Sequence, residues 1–133
     1  MSPELGLFIM MNNYFHDVAT ALLVGSAFAL WAMVREYEEA GAPQTRAYLL
    51  RIYGLMTKLA RFSLAWIILG GIPRLIFFMD FEWVNAVGRL QVPALALKHI
   101  LIFIAVGAGA RLWWKLRKRM ALIRASSALA PGP

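Results

Sequence analysis

The chain contains no cysteine, which excludes disulfides, thiolate metal sites and cysteine-held iron–sulfur clusters. Charge is scarce too: 16% of the 133 residues are Asp, Glu, Lys or Arg, where ordinary soluble domains carry about 25%. Histidine occurs only twice, at His16 and His99. No phosphate-binding glycine loop, zinc motif, catalytic serine triad or nucleic-acid signature is present. The net charge of +7 therefore needs a reading other than nucleic-acid binding. No positively charged segment precedes the first apolar run, so no cleaved signal peptide is expected.

What the chain has in abundance is apolar length. Hydrophobic residues make up 61% of it, and three segments meet the requirement of about 20 mostly apolar residues for a membrane span. They cover residues 7–33, 62–79 and 92–114. The pattern predicts an all-α integral membrane three-helix bundle, one domain over residues 1–124, with 125–133 as a flexible tail ("ASSALAPGP"). Gly41-Ala42-Pro43 is a turn signal, with Pro43 suited to a first helical turn. Helix two then starts near Pro43 and enters lipid only at Phe62, projecting roughly 28 Å beyond it at 1.5 Å per residue. Along that extension Leu49, Tyr53, Met56 and Ala60 form one apolar face, which predicts docking. Arg51, Lys58 and Arg61 form a basic stripe facing the acidic run Glu36, Glu38 and Glu39.

The basic residues supply the orientation. Arg35, Arg46, Arg51, Lys58 and Arg61 lie in or beside the first loop. Arg111, at the far end of the third span, and Lys115, Arg117, Lys118, Arg119 and Arg124 beyond it belong to the tail side. Only Arg74, Arg89 and Lys98 fall on the other side. This predicts an outside N-terminus and a cytoplasmic C-terminus, with helix two extended into the cytoplasm. The location is the cell inner membrane, multi-pass. The aromatics agree: Tyr14, Phe15 and Trp83 belong to the outer interface, and Trp31, Trp113 and Trp114 to the inner one.

With that topology, His16 on span one and His99 on span three fall at matching depth in the outer half of the membrane. Ionisable groups there are costly, so each is a functional-site hypothesis by default. Two imidazoles at one depth suit a six-coordinate haem b, one axial nitrogen on each face of the iron. Lys98 and Arg74 fall near the same level, where propionates want cations. Adjacent helix positions diverge by about 100°, so His99 is expected to point inward and Lys98 outward, to a propionate or headgroup. Gly70, Gly71, Ala19, Ala21 and Gly25 leave room for a flat macrocycle or for close helix packing. Each feature has a plainer counterpart. The histidines would equally bridge helices, and Arg74 and Lys98 would snorkel into headgroups. Asp17, a carboxylate at the same depth, pairs with Arg74 or Lys98 or relays protons at a quinone site. Met10 and Met11 near His16 are the softer-metal alternative, copper, but no span carries the methionine spacing of a transport path.

"HDVATALLVGSAFAL" and "LKHILIFIAVGAGARLWWK" resemble helices of the copper-resistance D and HemJ-type protoporphyrinogen oxidase families. The resemblance implies a haem-linked membrane protein, though those families generally have more spans. The build is also similar to the three-helix anchor subunits of succinate dehydrogenase and fumarate reductase. The expectation is a membrane cytochrome b subunit with His16 and His99 as metal ligands. Arg74 and Lys98 join them in binding the cofactor, a single haem b, and a quinone is the exchange partner. Its protein partners would be other subunits of a membrane redox complex, or a second copy of the chain. The alternatives are a non-catalytic anchor or assembly subunit, and a HemJ-like porphyrinogen oxidase.

Overall fold

The computed structural model describes residues 2–41 and 43–128, with side chains given as far as Ser126. Nearly all of these are helical. Helix α1 spans Pro3–Ala40, α2 Arg46–Ile76, α3 Val84–Gly88 and α4 Val92–Ala128. A 3-10 turn at Pro43–Thr45 leads into α2, and a π-helical turn at Phe78–Trp83 joins α2 to α3. Three helices, Pro3–Ala40, Pro43–Ile76 and Val92–Ser126, are long and apolar enough to cross a membrane.

Local chemistry explains the element ends. Ser2 caps α1 through Oγ, which accepts from Leu5 N at 3.3 Å, and Pro3 follows where its missing N–H costs nothing. Gly41 closes α1 at φ 57°, a left-handed conformation that only a residue without a Cβ adopts freely. Pro73 removes one backbone donor from α2, and the helix stops three residues later, at Ile76 rather than at the expected Met79. Beyond α3, Gln91 N bonds back to Ala86 O at 2.7 Å, and Leu90 takes φ 56° to close the turn. The predicted tail begins late. Helix α4 runs through Ala128, and residues 129–133 lie outside those described, as does Ala42 of the predicted turn.

Helix α1 is the spine. Its backbone runs close to both α2 and α4, while α2 and α4 meet each other mainly through side chains, Tyr53 with Trp113 and Arg46 with the end of α4 among them. The two flanking helices therefore leave a cleft between them, floored by α1. The apolar core sits at one end of this arrangement. It joins Leu23, Ala27, Leu30 and Val34 of α1 with Leu49 and Ala60 of α2 and Trp113, Leu116 and Met120 of α4. The extension of α2 is thus docked, as its apolar face predicts, with Tyr53 and Met56 packed against the same core. Its basic stripe does not meet the acidic run. Glu39 pairs with Arg35 on its own helix at 2.6 Å, and Glu38 pairs with Arg119 of α4 at 3.2 Å. Among the described residues the one ion pair from the acidic run to another helix thus goes to α4, while Glu36 borders a cavity with Tyr48 and Leu49 of α2. Arg46 ties the start of α2 to the end of α4, bonding the Ile123 carbonyl and Ser126 Oγ.

Candidate functional site

At the end of the bundle away from the core, the cleft holds the ionisable residues. Each reaches it from a different element. Asn12, Asn13, His16 and Asp17 come from the first half of α1, Arg74 from the last turn of α2, Glu82 from the π-helical turn, and Lys98 and His99 from α4.

Arg74 is the hub. Its side chain is only 9% exposed, and Nη1 donates to Asp17 Oδ1 at 2.8 Å while Nε meets Glu82 Oε1 at 2.9 Å. Glu82 is equally enclosed, at 10% exposure, and accepts a further bond from Asn13 Nδ2 at 2.8 Å. Lys98 Nζ lies 2.7 Å from Asp17 Oδ2. Two carboxylates thus face two cations, and the cluster is electrically compensated. Compensation matters because an ion stripped of water costs several kcal/mol unless its partner returns that energy. Lys98 turns across to α1 instead of outward to a headgroup. A long side chain overcomes the 100° divergence between neighbours, so Lys98 and His99 end at one cluster.

The two histidines do converge. His16 and His99 line one cavity of about 390 Å³, walled otherwise by Ile67, Gly71, Leu75, Phe78, Ile102, Phe103 and Val106, with Arg74 at its edge. The walls are apolar and the size falls within the range of about 300–1,000 Å³ typical of cofactor and ligand pockets. His16 lies along the α2 wall, its Nε2 3.6 Å from where a Cβ at Gly71 would stand, an ordinary contact distance. His99 enters from the α4 wall, with Phe78 edge-on to its ring at 5.6 Å.

Hydrogen bonding distinguishes the ring nitrogens. His99 Nδ1 is 2.8 Å from the Leu95 carbonyl, which can only accept. Nδ1 therefore carries a proton and Nε2 is left for a ligand, with Glu82 Oε2 at 3.7 Å, beyond hydrogen-bond range. His16 is bound the other way round. Its Nδ1 is 3.4 Å from Arg74 Nη1, a group that can only donate. Asp17 Oδ1 lies 3.9 Å from the same nitrogen. Among the described residues no group of three or more His, Asp or Glu side chains is placed to hold a bare metal ion.

Sequence reasoning found Asp17, Arg74, Lys98 and both histidines but missed Glu82, Asn13 and Asn12. Glu82 follows the second apolar run and reads as an interfacial loop residue. The π-helical turn keeps the chain wound, and that brings it back onto Arg74. The available signal was the scarcity of acid: Asp80 and Glu82 are the only carboxylates between residues 40 and 133. Asn12 donates to the Gly70 carbonyl at 2.7 Å, which pins α1 to α2.

The fold and site together define a class, a helical membrane-type protein with a two-histidine cleft beside a compensated charge cluster. Comparison with protein-family models, with curated proteins and with solved structures finds no match.

Proposed function

We propose that the protein is a membrane-anchored b-type cytochrome subunit, passing electrons between the quinone pool and a partner redox protein through one haem b. The observation that carries this reading is that the only two histidines of the chain, from α1 and α4, line one apolar cavity. His16 and His99 would hold the iron through Nε2, and the haem would supply one-electron redox chemistry. The protein's part is to bind, orient and exclude water. Leu95 O fixes the His99 ring, a common way of orienting a ligating imidazole. For His16 to ligate through Nε2, its proton must sit on Nδ1, so the Arg74 Nη1 contact at 3.4 Å would have to give way and Asp17 Oδ1, now 3.9 Å away, would have to close in to accept it. Lys98, 42% exposed, can turn to a propionate, whereas Arg74 is held by both carboxylates. The basic residues of the first loop and of the chain after the third span support an orientation with the core end on the cytoplasmic side of an inner membrane. His16, His99 and the charge cluster then face the outer half, where a larger complex would dock.

The test is a redox spectrum of the purified, haem-loaded chain. A low-spin spectrum that His16→Ala and His99→Ala each abolish, and Lys98→Ala keeps, is the expected result. Absence of haem binding, or unchanged low-spin spectra in both histidine variants, would overturn it. One observation favours the second reading, a non-catalytic anchor: the charge cluster is complete without any ligand, and His16 already has a partner in Arg74.

A further inference from the structure

The α2–α4 cleft has a second cavity at its other end, about 350 Å³, bordered by Tyr53, Thr57, Arg61, Leu64, Trp113 and Arg117, among others. Its charges are of one sign. Arg61 comes from the α2 wall and Arg117 from the α4 wall. Among the described residues neither has an ion-pair or hydrogen-bond partner, and no carboxylate borders the cavity. Thr57 donates its hydroxyl proton to the Tyr53 carbonyl at 2.7 Å. Trp113 also borders the cavity, and its buried Nε1–H has no acceptor among the described residues. Toward the middle of the bundle the same cavity is apolar and shallow-walled, with Leu23 as floor, Leu64 on one side and Ala110 on the other. Trp114, stacked under Lys118 Nζ at 3.8 Å, marks the level of a membrane–water boundary.

We infer that this cavity is a site for one anionic phospholipid, with its phosphodiester between Arg61 and Arg117 and an acyl chain along Leu64 and Ala110 into the cleft. Four observations converge on that ligand. Two arginines on opposing walls match a phosphate's oxygens, a geometry that guanidinium favours over ammonium. No protein anion neutralises them. The groove continues from charged to apolar in the order that a lipid does. It also lies between α2 and α4, whose backbones stay apart, so a chain fills space between them beside the Tyr53–Trp113 ring contact. Basic pockets between spanning helices recognise headgroups by this logic. The site stands apart from His16 and His99, so it holds whether or not a haem binds.

Native mass spectrometry of the detergent-purified full chain tests it, with phosphatidylglycerol and phosphatidylcholine as probes. Phosphatidylglycerol should be retained in one copy and phosphatidylcholine should not. Arg61→Gln and Arg117→Gln should each weaken retention about tenfold, as expected for losing one hydrogen-bonded charge partner. Lys58→Gln with Lys115→Gln removes twice the charge of either arginine variant, outside the cavity, and should leave retention unchanged. Ala110→Leu fills the groove without touching charge and should weaken it. Equal loss in the lysine control would reduce the effect to general surface charge and overturn the site. Equal retention of both lipids would overturn it too. Displacement by millimolar inorganic phosphate would make free phosphate the ligand and overturn the lipid assignment.

Discussion

The two ends of the α2–α4 cleft carry charge in opposite ways. At the histidine end, Arg74 and Lys98 are answered by Asp17 and Glu82, and Arg74 and Glu82 are almost wholly enclosed. At the core end, Arg61 and Arg117 border one cavity that no carboxylate lines. The difference teaches which charges belong to the fold and which await something else. A compensated, buried cluster is part of what keeps three helices in register. An uncompensated pair at a cavity rim contributes nothing to that and is available to an external anion.

The sharpest way to break the comparison is to remove the hub. Arg74→Met strands the enclosed Glu82 carboxylate and half of Asp17's pairing, and should cost about 3–5 kcal/mol of stability in detergent-denaturation measurements, the usual penalty for an orphaned buried charge. Arg61→Met should stay within about 0.5 kcal/mol, as surface changes do. Similar losses for the two would show that both ends are structural, and the contrast would fail.

Helix contact gives the next contrast. A Cβ at Gly70 would stand 3.1 Å from Asn12 Oδ1, so Gly70→Ala must shift the side chain that bonds the Gly70 carbonyl. The expected loss is about 1–3 kcal/mol, typical of overpacking. At Gly25 nothing lies within 4 Å, so Gly25→Ala should gain up to about 1 kcal/mol from helix propensity alone. Thermal shifts of the two variants in one detergent should have opposite signs. If they agree, the α1–α2 seam is not closed by Gly70.

The smallest effect sharpens the cluster itself. Lys98 is the most exposed of its charged members, so Lys98→Ala should cost only about 0–1 kcal/mol, the range for a screened pair. A loss approaching that of Arg74→Met would mean that Asp17 depends on Lys98 as much as on Arg74. The same denaturation series decides it.

Three spans, the helical extension of α2 and the docking of its apolar face were legible in the sequence, because hydrophobic length and a period of 3.6 are local properties of the chain. That His16 and His99 would come together was legible as well, and both line one cavity. Partner choice was not. Glu38 meets Arg119 rather than the α2 stripe, and Lys98 turns to Asp17 rather than outward. Glu82 reaches Arg74 only because a π-helical turn continues the winding past Pro73. Sequence alone determined which segments are apolar helices and where along each helix the ionisable groups fall. Only the tertiary structure decided that α1 is the spine and that α2 and α4 meet mainly through side chains, because rotation about a helix axis depends on side chains packing across elements far apart in the chain. The cleft, and the contrast between its two ends, exist only at that level.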